Sequence, residues 1–142
     1  MDTSEAVSFL SEDLSDVATS IREQDTGSVD EAIVIFDLLT AGDTQSYDGL
    51  PNSAVCIEDG MVVEYDVRLG EDASHSIEVD ELRSIAESAA SSAGRVDVQD
   101  VDTGGRMNKR ILHIRAQQTF IHVTEFSQFL INLYNEIRGK MG

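Results

Sequence analysis

Few side chains outside the carboxylates could do acid–base, nucleophilic or metal chemistry. The chain has three histidines and one cysteine. None of them belongs to a phosphate-binding loop, a Gly-x-Ser-x-Gly elbow or a His-Glu-x-x-His motif. Carboxylates are so numerous that no Asp or Glu pair is specific enough to assign as acid and base, and Cys56 in a predicted strand favours a small core residue over a nucleophile. We therefore expect no enzymatic activity and no cofactor.

His113 and His122 come closest to a metal site. Gln117-Gln118 predicts a two-residue turn between strands at 108–116 and 119–123, and this turn would place the two histidines opposite each other. Two imidazoles would then supply two ligands, but no carboxylate near them in the sequence completes a set. Partner-facing or stacked histidines are the alternative that we favour, so we predict no metal.

The charge balance is strongly acidic. The 142 residues carry 27 acids and 10 bases, a net charge of −17. The acids are dispersed between apolar residues, which is typical of a folded surface in concentrated salt, where repulsion is screened. We interpret the protein as halophilic, from an archaeon or one of its viruses.

One basic cluster interrupts this acidity: Arg106, Lys109, Arg110 and Arg115. Its bases either neutralise neighbouring carboxylates or form a docking surface for an acidic partner protein. Nucleic-acid binding is disfavoured because the free-energy gain from counterion release shrinks at high salt. A single cysteine, an acidic start and no apolar run of the roughly 18 residues that a span needs predict a cytoplasmic protein, or a virion protein, without a membrane span.

Hydrophobic periodicity predicts an α+β fold, a single layered domain with a central, mostly antiparallel sheet flanked by helices. An amphipathic helix over 2–24 forms an N-terminal extension, residues 1–26, before a domain at 27–142. The segment 29–39 is predicted as a second helix, with a strand as the alternative because Ile33-Val34-Ile35-Phe36 is rich in β-formers. The expected order is helix-(helix)-β-β-helix-β-β-(β)-helix.

The strongest local pattern is Asp59-Gly60 between two β-rich runs, which predicts a hairpin with a type I′ turn. In its second strand Met61, Val63, Tyr65, Val67 and Leu69 are expected to share one face. A helix follows at 78–93, then strands at 96–101, 108–116 and 119–123. Thr124 is expected to cap a last helix at 124–138.

Small residues line one side of the helix at 78–93 and would allow either a sheet or a second copy of the helix to pack closely against it. We therefore predict a homo-oligomer, a dimer rather than a larger ring, through the helix and the strand that follows it. The predicted interface residues are Leu82, Ala86, Ala89, Ala93, Val96 and Val98.

The segment Asn52-Ser53-Ala54-Val55-Cys56-Ile57-Glu58-Asp59-Gly60-Met61-Val62-Val63 resembles the first hairpin of the roadblock family. That family includes dynein light chains of roadblock type and regulators of Ras-like GTPases. The Ala-rich helix and the elements after it resemble the rest of the family pattern, over residues 28–140. The resemblance implies a five-stranded sheet between helices and a dimeric, non-enzymatic platform for a small GTPase.

Two functions are therefore expected. The first is a platform that binds a Ras-like GTPase through a basic and aromatic strand surface, formed by Arg110, His113, Arg115, Phe120 and His122. The alternative is a structural protein of a tailed virus, a tail terminator or head–tail connector, which combines a leading helix with hairpins in a similar order.

Overall fold

The computed structural model describes residues 2–24, 27, 30–38, 53–69, 77–90, 96–102 and 110–141. The helices are α1 (Thr3–Asp13), α2 (Val79–Ala90) and α3 (Val123–Met141). The strands are β1 (Ala18–Gln24), β2 (Glu31–Leu38), β3 (Ser53–Glu58), β4 (Met61–Arg68), β5 (Asp97–Asp102) and β6 (Arg110–His122). These strands form one six-stranded sheet in the order β1-β2-β3-β4-β6-β5, and every neighbouring pair is antiparallel. The predicted α+β class with helices packed on an antiparallel sheet is confirmed.

All three described helices form one layer on one face of the sheet. Helix α3 lies in the middle of this layer and contacts both α1 and α2, as well as β4 and β6. A cluster of three rings anchors it: Tyr65 of β4 lies 5.1 Å from Phe126 and 5.6 Å from Phe129, measured between ring centroids. Burial raises the pKa of the Tyr65 phenol far above its usual range. The core therefore lies between one sheet face and one helix layer.

The Asp59-Gly60 turn is as the sequence predicts. Asp59 has φ 51° and Gly60 has φ 78°, the two positive angles that a type I′ turn requires. Glu58 and Met61 face each other beside it. The N–H of Val123 donates to the carbonyl of Gly60 at 3.2 Å, which ties the start of α3 to the hairpin.

The helix predicted over 2–24 is correct only as far as Asp13, and residues 18–24 form β1. The Ser15 hydroxyl donates to the carbonyl of Glu12 at 2.9 Å, a local bond that competes with continuation of the helix. Helix α1 shares the hydrophobic core through Ala6 and Leu10. The division of the chain at residue 26 stays a prediction.

The helix predicted at 29–39 is wrong, and the strand given as its alternative is right. Residues 31–38 form β2, in which Ala32, Val34 and Phe36 are buried while Ile33 and Ile35 are partly exposed on the other face. The β-branched residues at 33–35 favour the extended chain, and pairing on both sides completes it.

A β-bulge in β4 changes the predicted alternation. The register with β3 shifts after Cys56, so that Val62 joins Tyr65 and Val67 on the core face. Met61 and Val63 lie on the other face and are partly exposed. The extra residue explains the error, because a shift of one position moves a side chain to the opposite face.

The two strands predicted at 108–116 and 119–123 are one strand, β6, so the Gln117-Gln118 turn is wrong. Three residues, 118–120, bulge opposite the single residue Val63 of β4. Gln118 and Phe120 take positive φ angles of 56° and 54° there. Pairing with β4 continues on both sides of the bulge and keeps the chain in one strand. The described pairing with β5 covers residues 110–115 of β6.

The sheet expected from the roadblock resemblance has five strands between helices. The described sheet has six, and the described helices all lie on one side of it. Helix α3 begins at Val123, one residue earlier than predicted, so Thr124 lies in its first turn.

Candidate protein-binding face

The sheet face opposite the helices, here called the uncovered face, is a surface that the described elements leave without a packing layer. Its centre is apolar: Ile33 and Ile35 of β2 lie opposite Cys56 and Ala54 of β3. Val63 of β4 extends this strip beyond β3. These side chains are partly exposed and lie outside the hydrophobic core. Alternation along each strand explains the arrangement, because every second residue must face away from the helices.

Carboxylates surround one half of this apolar strip. Glu31 and Glu58 are direct cross-strand partners, and Glu64 lies opposite Cys56 on the other side of β3. The Cys56 thiol lies 3.5 Å from Oε1 of Glu31 and donates to it. Like charges placed directly opposite each other across a sheet repel, so this half of the face has a negative potential.

The environment of Cys56 makes its thiol a poor nucleophile. Burial, the hydrogen bond to Glu31 and the charges of Glu31, Glu58 and Glu64 together raise its pKa from 9.0 to about 11. The thiolate is the reactive form, so it is scarce at neutral pH. The expected core position is wrong, since Cys56 is partly exposed on the uncovered face.

The predicted basic surface is balanced by carboxylates where it is described. Arg115 of β6 has Asp66 of β4 and Asp97 of β5 as its two cross-strand partners. Nε of Arg68 lies 3.5 Å from Oδ2 of Asp66. Arg110 belongs to β6, but its side chain lies outside the described part of the structure, as do Arg106 and Lys109 entirely. This half of the face is therefore mixed in charge rather than basic.

Phe120 is the outstanding exposed residue. It is the one large hydrophobic side chain with an exposed fraction as high as 60% among the described residues. Its φ of 54° lies in the left-handed region, which is a genuine outlier for a bulky side chain. The bulge at 118–120 thus presents an aromatic ring to solvent through a strained backbone.

His122 has a structural role at the start of α3. The backbone N–H of Thr124 donates to its Nδ1 at 3.3 Å, and the Thr124 hydroxyl lies 2.9 Å from the same atom. His122 therefore occupies the N-cap position expected of Thr124, with Nδ1 as the acceptor of the Thr124 N–H.

The predicted meeting of His113 and His122 does not occur. They lie nine positions apart on the same strand, and their β4 partners are Arg68 and Met61, at opposite ends of that strand. Within the described ranges no three His, Cys, Asp or Glu side chains lie close enough together to hold a metal ion.

No protein-family model, curated protein or solved structure matches this sequence. No helix in the described part of the chain is both long and apolar enough to cross a membrane.

The residues predicted for a dimer interface belong mainly to the core of the single chain. Leu82, Ala86 and Val98 are buried in it, and Ala89 and Val96 pack against it while partly exposed. Ala93 lies outside the described residues. Contact with a second copy stays a prediction, and α2 would have to make it through its exposed side, which carries Arg83, Ser84, Glu87 and Ser88.

Sequence reasoning found Phe120 but missed the apolar strip and its acidic surroundings. The strip could have been found from the alternation in 31–38, had that segment been taken as a strand. The bulges could not have been predicted from the sequence, because neither Val63 nor Gln118 belongs to a residue type that prefers bulge positions.

Proposed function

We propose that this protein is a non-enzymatic, protein-binding platform that acts through the uncovered face of its sheet. The observation that carries the proposal is Phe120, an aromatic side chain that is 60% exposed and held at a positive φ. Such a conformation costs about 1–3 kcal/mol and is found mainly at functional sites. Aromatic residues at the centre of an interface often dominate its binding energy.

We propose a Ras-like GTPase as the partner class. This choice is supported by the resemblance of the hairpin at 52–63 to the roadblock family, and by the position of Phe120 on the same strand as Arg115. The platform would work in the cytoplasm of a halophile, as a homodimer. The alternative partner class is the set of structural proteins of a tailed virus.

The test compares two variants of the same strand. Phe120→Ala should weaken partner binding by about 30-fold or more, as expected for an aromatic anchor. The control is Gln117→Ala, which changes another exposed residue of β6. Each tagged variant captures partners from native lysate in molar salt, and captured proteins are identified by mass spectrometry.

Recovery of a GTPase by the parent protein and by the Gln117 variant, but not by the Phe120 variant, supports the proposal. Equal recovery by all three proteins would move the binding site elsewhere. Recovery of head or tail proteins in place of a GTPase would favour the viral assembly function.

A further inference from the structure

We propose that the acidic half of the uncovered face docks a positively charged amphipathic segment of a partner protein, with lysine or arginine side chains around an apolar centre. The inference rests on the proposed function, because it assigns the chemistry of the partner that the same face would bind.

The first reason is the shape and composition of the surface. Ile33 and Cys56 form a cross-strand pair, and Val63 continues the apolar strip towards the bulge that carries Phe120. A sheet face usually buries such side chains against another layer about 10 Å away. The described helices all pack on the other face, so the chain's own described elements leave this strip partly exposed.

The second reason is charge. Glu31 and Glu58 are direct neighbours on adjacent strands, with Cβ atoms about 5 Å apart in such a pair. Glu64 lies one strand further, opposite Cys56. The charges of all three carboxylates act on the Cys56 thiol, so they surround one point of the apolar strip. A segment with cations on its rim would relieve their mutual repulsion while its apolar side chains cover the strip.

The same charges argue against a second copy as the occupant. Two acidic halves would repel each other, and both molecules carry a net charge of −17. Of the described arginines on this face, Arg68 and Arg115 already lie beside Asp66 and Asp97. That leaves a copy Arg22, the cross-strand partner of Ile35, as one base against three carboxylates. A basic segment of another protein has no such conflict.

The probe is a synthetic ten-residue peptide of alternating lysine and valine, compared with one in which glutamate replaces lysine. Isothermal titration calorimetry measures the Kd with the full chain, at the lowest potassium chloride concentration at which circular dichroism shows the folded spectrum. The face variant is Glu58→Gln with Glu64→Gln, two exposed carboxylates. The control is Glu87→Gln with Glu136→Gln, which removes the same charge from exposed positions on α2 and α3.

The face variant should bind the lysine peptide about tenfold more weakly, which corresponds to two carboxylate–ammonium contacts near a partly apolar surface. The control should change the Kd by less than about twofold. Equal weakening by both variants would mean attraction to the overall charge and would overturn the inference. Equal affinity for the lysine peptide and the glutamate peptide would also overturn the inference.

Two further results separate this inference from the proposed function. Loss of the native partner by Phe120→Ala but not by the face variant would reject the basic segment and leave the platform function standing. Retention of the native partner by both variants would reject both the basic-segment inference and the platform function. A dimer in sedimentation experiments that Ile35→Glu converts to monomer would also overturn the inference, because a second copy would then occupy the face.

Discussion

Phe120 shows how a single residue can be placed against its own conformational preference. Gly, and to a lesser degree Asn, adopt positive φ easily, whereas a bulky side chain clashes with the neighbouring backbone. A ring that is 60% exposed recovers little of this cost through burial. The sequence indicated Phe120 as a contact residue from its type, but the positive φ depends on the bulge and could not be predicted from type alone.

Phe120→Asn should therefore stabilise the fold while it removes the aromatic ring. We expect the free energy of unfolding to rise by about 0.5–1 kcal/mol, or the Tm by about 3 °C, because Asn accepts the left-handed conformation. Thermal unfolding followed by circular dichroism measures the change. Gln117→Asn is the control, since Gln117 has no positive φ. A lower Tm for Phe120→Asn would show that the ring contributes to packing more than its backbone costs.

Cys56 should react slowly with a neutral disulfide. With its pKa raised from 9.0 to about 11, the thiolate fraction at pH 8 falls about 100-fold. The higher nucleophilicity of a more basic thiolate recovers about tenfold, so we expect a rate about tenfold below that of an ordinary thiol. The rate with 4,4′-dithiodipyridine, in the folded protein and in urea, measures this on the one cysteine of the chain.

The same pKa gives the direction of a stability change with pH. The folded state favours the neutral thiol, so the contribution of Cys56 is complete below pH 9 and is lost as the pH rises from 9 towards 11. Replacement of Cys56 by Ser should remove this part of the alkaline destabilisation. If Cys56 reacted with 4,4′-dithiodipyridine at the same rate in the folded and the urea-unfolded protein, that result would contradict the raised pKa.

At the scale of elements, predictions succeeded where local chemistry decides the structure. Asp59-Gly60 fixed its hairpin, and the broad apolar stripe of Phe126, Phe129 and Leu133 fixed α3. Predictions failed where pairing with a distant strand decides it. Residues 31–38 became a strand between β1 and β3, and Gln117-Gln118 stayed within one strand because pairing with β4 continues on both sides of the bulge.

The cap of α3 provides an element-scale prediction. His122→Ala removes the acceptor of the Thr124 N–H and should lower the free energy of unfolding by about 1 kcal/mol. His122→Asn, which restores a capping side chain, should recover most of it. Urea unfolding at constant salt concentration compares the three proteins. Equal stability of the Ala and Asn variants would mean that the contact does not stabilise the helix.

At the scale of the whole molecule, the balance of charge sets the conditions for folding. The carboxylates repel one another over the surface. Glu31 and Glu58 lie directly opposite each other on adjacent strands, so the strand register places like charges side by side. This overall repulsion could be predicted from the amino-acid composition alone. The concentration of carboxylates beside Cys56 required the strand register.

Stability should therefore rise with salt. Between about 0.3 M and about 3 M potassium chloride the Debye length falls to a few ångströms or less, and the repulsion within a molecule of charge −17 is screened. We expect the Tm to increase over this range. Glu87→Lys with Glu136→Lys changes the net charge from −17 to −13, and this variant should need less salt for the same Tm. A Tm independent of salt in both proteins would reject the halophilic interpretation.

The central place of α3 also has a consequence for the newly made chain. Every other described element precedes it in sequence, yet α3 lies between α1 and α2, and its Ser127 hydroxyl donates to the carboxylate of Asp13 in α1. At a synthesis rate of about 5–20 residues per second, the 19 residues of α3 follow the last described strand within about 1–4 seconds. Until then Tyr65, Val67 and Leu10 have no Phe126 or Leu130 to pack against. Before α3 is made, the growing chain therefore exposes an apolar surface, and a chaperone that binds such surfaces would contact it there.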